Sequence, residues 1–174
     1  MALDERIRWF SPEDRGILPL DRFHLPRRCA RVIREGSFHV SINQSFDEVI
    51  RNCAARDDED GNWINQEIIE SYCGLYQAGF AHSVETWDGD RLVGGLYGVS
   101  LKGAFFGESM FHKMPDASKV ALWALVERLR ERNYHLLDTQ WLTPHLERFG
   151  AIEIPRAKYL ELLAESMQLD CQFT

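Results

Sequence analysis

The fold class follows from residues 81–111, AHSVETWDGDRLVGGLYGVSLKGAFFGESMF, because the apolar side chains change here from helical to alternating spacing. The dipeptides Asp88-Gly89 and Lys102-Gly103 are typical of tight turns and divide the stretch into three segments. Alternating segments joined by short turns form antiparallel sheets. The stretch therefore predicts a three-stranded meander, with strands at residues 81–87, 91–100 and 104–111.

After this meander the chain alternates between helix and strand. Residues 116–132 have an apolar stripe at helical spacing, and residues 134–141 are typical of a short buried strand. Thr143-Pro144 begins another helix, residues 152–154 a short strand and residues 155–167 a last helix. A meander that feeds a crossover helix and a parallel strand is an α+β arrangement. This order, an antiparallel meander followed by α-β-α-β-α, resembles the second part of the GNAT acyltransferase fold.

The chain before the meander divides at residue 26. Three prolines and a glycine interrupt every periodic pattern up to that point. We therefore expect residues 1–26 to be an irregular N-terminal segment and residues 27–174 to be one GNAT-like transferase domain. Within that domain, helices are predicted at residues 27–34, 45–55 and 65–77, and a strand at residues 38–42.

The composition is that of a globular domain, with 45% hydrophobic and 27% charged residues in a chain of 174. The net charge of −7 argues against binding to nucleic acid by bulk electrostatic attraction, although a local basic patch stays open. The basic residues are 16 Arg and 4 Lys, a bias that favours directed contacts to phosphate or carboxylate. No apolar run approaches the roughly 20 residues that cross a bilayer.

The four cysteines are spaced too widely for a zinc site or a Cys-x-x-Cys pair. The N-terminal stretch MALDERIRWFSPEDR lacks the apolar core of a secretory signal. We therefore expect reduced thiols, no metal site, a cytoplasmic location and no membrane partner. We also expect the protein to be a monomer.

Glu108 lies in the middle of a strongly apolar strand, within GAFFGESMF at residues 103–111. The alternative to a functional role is an exposed acid on a strand of core aromatic residues. A carboxylate in such surroundings must be paired or must face a cavity. A strand-to-helix junction in an α+β fold is a usual place for a ligand. Glu108 is therefore a candidate site residue.

Asp138 and Gln140 stand at the end of the predicted parallel strand, two residues apart, and so share one strand face. Binding sites gather at the carboxyl ends of parallel strands. The two side chains would offer an acceptor and an amide aimed at one point. For Asp138 alone, capping of the helix that begins at Thr143 is the alternative interpretation.

The predicted helix over residues 27–34, RRCARVIR, is called the arginine helix below. Arg27, Arg31 and Arg34 fall on one of its faces, and Arg28 is next to them. Two interpretations stay open: a surface helix that pairs with the acidic loop at residues 57–60, or a contact for RNA phosphates whose binding depends strongly on salt.

No common cofactor motif is present. The sequence has no P-loop, no H-E-x-x-H and no G-x-S-x-G. A coenzyme-A-dependent GNAT enzyme would have a glycine-rich loop before the crossover helix, whose amides hold the pyrophosphate. The junction here reads ESMFHKMP and contains no glycine. We therefore expect no cofactor and an acyl donor other than acetyl-CoA.

Several motifs in one order resemble the leucyl/phenylalanyl-tRNA–protein transferase family. They include GESMF at residues 107–111, ASK at 117–119, DTQ at 138–140 and GAIEIPR at 150–156, with WFSP, GNWI, AHSVE and LVGGLYGV before them. The resemblance runs from about Trp9 to the final helix, which is nearly the whole chain.

The resemblance implies transfer of Leu, Phe and some Met from aminoacyl-tRNA to the N-terminal Arg or Lys of a protein, which creates an N-degron. It implies that Asp138 and Gln140 activate the attacking amine, with Gln140 in direct contact. Glu108 would help hold the cationic acceptor, and Trp63 would stack on the terminal adenosine. Arg27, Arg28, Arg31 and Arg34 would contact the tRNA acceptor stem. The donor pocket would be formed by Leu96, Phe105, Met110, Leu122, Leu125 and Leu129.

The chain departs from this family at its N-terminus, where relatives usually have an extra segment with a G-x-F-P-W/M type motif. A second aromatic face for the adenosine would then have to come from Trp9 or Phe10. Two alternatives follow from the departure. One is the same donor with a different acceptor, and the other is an inactive module that binds tRNA or peptide.

Overall fold

The computed structural model describes residues 2–3, 6–7, 10–55 and 63–174, with side chains from residue 10 onward. The helices in this part of the chain are α1 Arg27–Arg34, α2 Phe46–Ala54, α3 Gln66–Gln77, α4 Ala117–Glu131, α5 Pro144–Glu147 and α6 Arg156–Ser166. The strands are β1 Ala2–Leu3, β2 Arg6–Ile7, β3 Asp14–Ile17, β4 His39–Ile42, β5 Ala81–Asp88, β6 Arg91–Leu101, β7 Ala104–His112, β8 Leu136–Gln140 and β9 Ile152–Pro155.

Within the described residues, β3 to β9 form one sheet in the order β4-β5-β6-β7-β8-β3-β9. Strands β5, β6 and β7 are the predicted antiparallel meander. The helix α4 then crosses over to β8, which pairs with β7 in parallel. The predicted α+β fold with a GNAT-like order of elements is therefore confirmed.

The starts of two helices and the first meander turn follow local signals that the sequence contains. The side chain of Asn65 accepts a hydrogen bond from the Ile68 amide and begins α3, and Thr143 caps α5 through the Leu146 amide. The first meander turn is one residue later than predicted, at Gly89-Asp90, because Asp88 still pairs with Arg91. Gly89 has a φ of 58°, which glycine adopts at no steric cost.

The sequence suggested that residues 1–26 form an irregular segment. The structure shows instead that part of this segment is regular. Residues Asp14–Ile17 form β3, which is inserted between β8 and β9 and is antiparallel to both. Leu18, directly after this strand, is fully buried in the main core. The strand escapes the sequence pattern because it has four residues, lies between Pro12 and Pro19, and depends on partners more than 120 positions away. Its hydrogen bonds, which no local pattern encodes, stabilise it.

The glycines of β6 allow close packing. A Cβ at Gly94 would lie 2.6 Å from the Cβ of Ala117, so α4 can begin directly against the strand. A Cβ at Gly98 would overlap the carbonyl oxygen of Phe106, at a point where the register of β6 against β7 shifts. These glycines therefore mark a tight helix contact and a bulge, rather than a ligand that touches the strand.

The core has a helical layer on each face of the meander. Leu96 packs with residues of α4, whereas the next residue, Tyr97, packs with residues of α2 and α3. This alternation is what the two-residue period of a strand produces. None of the four cysteines, all of which lie in the described part, forms a disulfide. Among the described residues, no helix is long and apolar enough to cross a membrane.

Candidate active site

A cavity of about 570 Å³ opens where β7 and β8 separate. The two strands pair only over Ala104–Phe106 and Leu136–Asp138, and beyond these residues their facing edges diverge. We call this space the β7–β8 cavity. Its lining is mostly apolar and comes from the meander, from α4, from the end of β8 and from the chain around α5. It lies at the carboxyl end of a parallel strand pair, where α/β proteins usually bind ligands.

Seven of the predicted site residues line the β7–β8 cavity: Trp63, Leu96, Glu108, Met110, Leu122, Leu125 and Gln140. Two predicted donor-pocket residues, Phe105 and Leu129, do not. Both are fully buried, and Phe105 stacks against Phe173 at 5.2 Å. The rings of Phe105 and Phe173 and the side chain of Leu129 belong to the main core.

Glu108 faces the cavity, where Tyr72 on α3 also lines the wall. Burial raises the pKa of Glu108 to about 7, and the negative charge of Asp138 acts in the same direction. The Tyr72 hydroxyl and the charge of Arg15 oppose this shift only in part. Glu108 is therefore a carboxyl group that changes its charge close to neutral pH.

Asp138 is fully buried at the centre of a hydrogen-bond network. Arg15 donates to it from Nε at 3.1 Å and from Nη2 at 2.7 Å, and the Tyr159 hydroxyl donates at 2.7 Å. Its Oδ1 also accepts the backbone N–H of Gln140 at 2.8 Å. These donors come from β3, α6 and β8. These donors balance the charge of the buried carboxylate, so its contacts stabilise the fold.

The expectation that Asp138 and Gln140 aim at one point is therefore wrong for Asp138. Gln140 lines the cavity, whereas the carboxylate of Asp138 is occupied by Arg15 and Tyr159. The two side chains diverge because Gln140 has a φ of 60°, which ends the regular alternation of the strand. A left-handed residue other than glycine costs roughly 1–2 kcal/mol. The hydrogen bond from the backbone N–H of Gln140 to Asp138 stabilises this conformation. Asp138 also does not cap α5, since Thr143 does.

Three residues of the site carry no signal in the sequence. Arg15 belongs to the segment predicted to be irregular, Tyr72 lies on α3, and Tyr159 lies on α6. All three meet the carboxylates only through long-range packing. A buried acid needs donors, so the sequence does indicate that partners exist, but it does not indicate which ones.

Aromatic side chains form part of the cavity wall. Trp63 and Phe10 line it, as does Trp141, whose ring contacts Phe10 edge-to-face at 6.4 Å between centroids. Phe10 and Trp141 are 46% and 42% exposed, so their rings are open to a planar partner. Trp9, the other aromatic face that the sequence offered, lies outside the described residues.

The arginine helix forms as predicted, and its four arginines are exposed on α1. Arg28 donates to Asp116 at 2.9 Å, and Arg31 pairs with Glu35 at 2.7 Å at the end of the same helix. The acidic loop at residues 57–60 lies outside the described residues. Within residues 10–55 and 63–174, no cluster of three or more His, Cys, Asp or Glu side chains could hold a metal ion.

Comparison with known proteins gives a consistent result. The family model for leucyl/phenylalanyl-tRNA protein transferase matches residues 17–164. A leucyl/phenylalanyl-tRNA–protein transferase from Rubrobacter xylanophilus is 53% identical, over 97% of this chain and 87% of the relative. One from Caulobacter vibrioides is 56% identical, over 94% of this chain and 76% of the relative. One from Herpetosiphon aurantiacus is 51% identical, over 99% of this chain and 90% of the relative.

Solved structures share the fold at low sequence identity. The structure of L-PGS from Bacillus licheniformis has a TM-score of 0.52 at 14% identity and covers 89% of this chain and 65% of that chain. A conserved protein from Bacteroides thetaiotaomicron has a TM-score of 0.55 at 12% identity, over 78% of this chain and 53% of that chain. At this level of identity the likeness is one of fold alone.

Proposed function

Because the chain belongs to the leucyl/phenylalanyl-tRNA–protein transferase family, we propose that it transfers Leu, Phe and some Met from aminoacyl-tRNA to proteins that begin with Arg or Lys. Membership makes the chain an aminoacyltransferase that acts on proteins. The identity of the donors, the basic acceptor residue, the resulting N-degron and a cytoplasmic location are the further parts of the proposal.

One observation carries this proposal: the β7–β8 cavity combines an apolar interior with the half-buried carboxylate of Glu108 and an aromatic wall. An aminoacyl-adenosine has the matching parts, namely an apolar side chain, an ester and a planar base. We assign the apolar interior to the donor side chain. We assign Trp63, with Phe10 or Trp141, to the adenine, since stacking on an aromatic ring contributes about 1–3 kcal/mol per base.

The donor pocket gives the first prediction. Leu125 lines the cavity, whereas Leu129, one turn later on α4, is buried but does not. We expect Leu125→Ala to raise the ratio of Phe transfer to Leu transfer by about tenfold, because added volume favours the larger side chain by about 1–3 kcal/mol. The measurement is competition between the two charged tRNAs in one reaction.

Leu129→Ala is the matched control. It removes the same atoms from the same helix and should lower the free energy of unfolding by about 2–5 kcal/mol. The Phe to Leu ratio should stay at the wild-type value. An equal change of the ratio in both variants would contradict the assignment of the cavity to the donor.

The reaction needs no activation by ATP, because an aminoacyl ester is already activated. The free α-amine attacks the ester carbonyl, the carbon–oxygen bond to the ribose breaks, and the ribose oxygen takes up the proton that the amine loses. The protein must hold two reactants in line and guide one proton. We assign contact with the amine to Gln140. We assign Glu108 to the positive charge of the acceptor, because its carboxylate is the charged group of the cavity with a pKa close to neutral.

The arginine helix gives the second prediction, on RNA binding. Replacing Arg27, Arg31 and Arg34 together with Gln should reduce the slope of log affinity against log salt by up to about 3, since each phosphate contact contributes about 0.7–0.9. The control is a triple replacement of Arg51, Arg91 and Arg132, which are exposed outside α1. Equal slopes for both triple variants would contradict an RNA contact at α1 and would support the alternative, an ordinary surface helix.

The test of the function uses the whole chain, charged Leu-tRNA and two peptides that differ only in their first residue. Transfer of Leu to the peptide with an N-terminal Arg, and none to its counterpart with an N-terminal Ser, is the expected result. Transfer to another amine would support the first alternative, a different acceptor. Binding of tRNA without transfer would support the second, an inactive module.

A further inference from the structure

A second groove, of about 360 Å³, lies beside the arginine helix. We call it the His112–His145 groove. Its lining comes from α1, from the end of β7, from the start of α4 and from α5. The residues are Arg28, His112, Pro115, Asp116, Ser118, Lys119 and His145. The assignments made above use none of these residues except Arg28.

This groove presents positive charge to the solvent. The carboxylate of Asp116 has only 4% of its surface exposed and is held between Arg28 at 2.9 Å and Lys119 at 2.6 Å. The two cationic side chains are 75% and 32% exposed. The acid therefore lies under the cations and anchors them, while their outer N–H donors stay accessible. Since a guanidinium has several donors, its bond to Asp116 leaves room for a phosphate.

His145 lies among several ionisable side chains. Its pKa is lowered by burial first, and then by Lys119, His112 and Arg148. The ionisable groups around it are Asp116 directly before α4, Lys119 on α4, His112 on β7, Arg28 on α1 and Arg148 beside α5. A bound anion would offset the positive charges of Lys119, Arg28 and Arg148 and would hydrogen-bond to the imidazole.

The groove adjoins the β7–β8 cavity along two elements. On β7, Met110 lines the cavity and His112 lines the groove. At α5, Thr143 and Leu146 line the cavity and His145 lines the groove. The third side of the groove is Arg28, on the arginine helix. A strand of RNA that leads from α1 to the cavity would therefore cross the groove.

We propose that the His112–His145 groove binds phosphodiester groups of the single-stranded 3′ end of the donor RNA. This inference rests on the proposed function, and it adds a site for the segment between the paired stem and the ester. Three features carry it: cations from two elements, α1 and α4, an acid buried beneath them, and a position between the arginine helix and the cavity. A paired stem that ends at α1 would reach only the Arg28 side of this groove.

The test measures the affinity of the full chain for two uncharged RNA hairpins. One ends in a single-stranded 3′-CCA, and the other has the same stem and a blunt end. We expect His145→Glu to weaken binding of the CCA hairpin by about tenfold or more, because a carboxylate would face the phosphates. Binding of the blunt hairpin should change by less than about twofold. Lys119→Gln is the second variant and should show the same selectivity.

His135→Glu is the matched control, since His135 is an exposed histidine at the other end of β8 from Gln140. It should leave both affinities unchanged. Retained binding of the blunt hairpin shows in the same experiment that each variant is folded. Equal loss on both hairpins, no loss with His145→Glu, or a wild-type protein that does not prefer the CCA hairpin would each overturn the proposal. Leu transfer by the wild-type protein is measured separately, so failure of the groove and failure of the proposed function give different results.

Discussion

Asp138→Ala should lower the free energy of unfolding by about 3–5 kcal/mol, because it leaves the guanidinium of Arg15 without its buried partner. Arg15 is 19% exposed and Asp138 is fully buried, so water replaces the lost bonds poorly. The variant also removes the acceptor for Tyr159 and for the Gln140 amide. For a domain of this size, we expect a fall in Tm of roughly 10 °C. Chemical and thermal unfolding of the purified variant measure both quantities.

A surface ion pair provides the control. Asp88→Ala breaks a bridge to Arg91 whose members are 39% and 74% exposed, and it should cost less than about 1 kcal/mol. A second comparison identifies the cause. Removing both charges, with Arg15→Met and Asp138→Asn together, should restore more than half of the stability lost with Asp138→Asn alone. If the double variant were no more stable than the single one, the account of Asp138 as an anchored ion pair would be wrong.

The effect of Asp138 on transfer follows from its position. We propose that Asp138 acts through Gln140, whose backbone N–H it accepts at 2.8 Å, and is a positioning residue. Asp138→Asn keeps an oxygen for this bond. We expect that variant to lose less of its transfer rate than Asp138→Ala when both are assayed well below their melting temperatures. A role in proton transfer would instead make the two variants equally slow.

The second large effect is expected for Glu108→Gln, which should lower the transfer activity and raise the free energy of unfolding. If the carboxylate holds the cationic acceptor, the variant should reduce kcat/KM for a peptide with an N-terminal Arg by about 100-fold, since a hydrogen bond to a charged group contributes about 1.5–3 kcal/mol. Aminoacyl-RNA binding should stay within about twofold of wild type, because Gln keeps the shape of the side chain.

The pH profile separates this role from a structural one. The pKa of Glu108 is raised to about 7, so the carboxyl group is charged above that pH and neutral below it. Wild-type transfer should therefore fall as pH drops through about 7, in addition to the fall caused by protonation of the attacking amine, whose pKa is near 8. The variant should keep only the second effect. Identical pH profiles for wild type and Glu108→Gln would contradict a role of Glu108 in acceptor binding.

The same shift predicts that Glu108→Gln stabilises the fold at alkaline pH. A carboxyl group whose folded pKa lies above its unfolded value binds its proton more tightly in the folded state. Stability then falls as pH rises from about 4.5 to 7, and the variant should exceed wild type by about 2 kcal/mol at pH 8. This difference should disappear near pH 4. Glu161→Gln, at an exposed bridge to Lys158, is the control and should change stability little at any pH.

Much of the fold follows from local pattern. The meander, the apolar stripe of α4 and the caps at Asn65 and Thr143 are short-range signals, and the structure contains each of them. The strand β3 is the exception, because four residues between prolines show no period. Glu108, by contrast, could be identified as an unusual acid from the sequence, because its apolar neighbours are adjacent in the sequence.

Sequence patterns were therefore sufficient for the order of the elements from α1 onward, for the family, and for the acid and the amide at the cavity. Which groups these side chains contact followed only from the packed structure. It paired Asp138 with Arg15 and Tyr159, turned Gln140 into the cavity, and assembled the His112–His145 groove from four separate elements. The physical reason is that periodicity and capping act over a few residues. The partner of a buried charge is set by which distant strands and helices the packed core brings together.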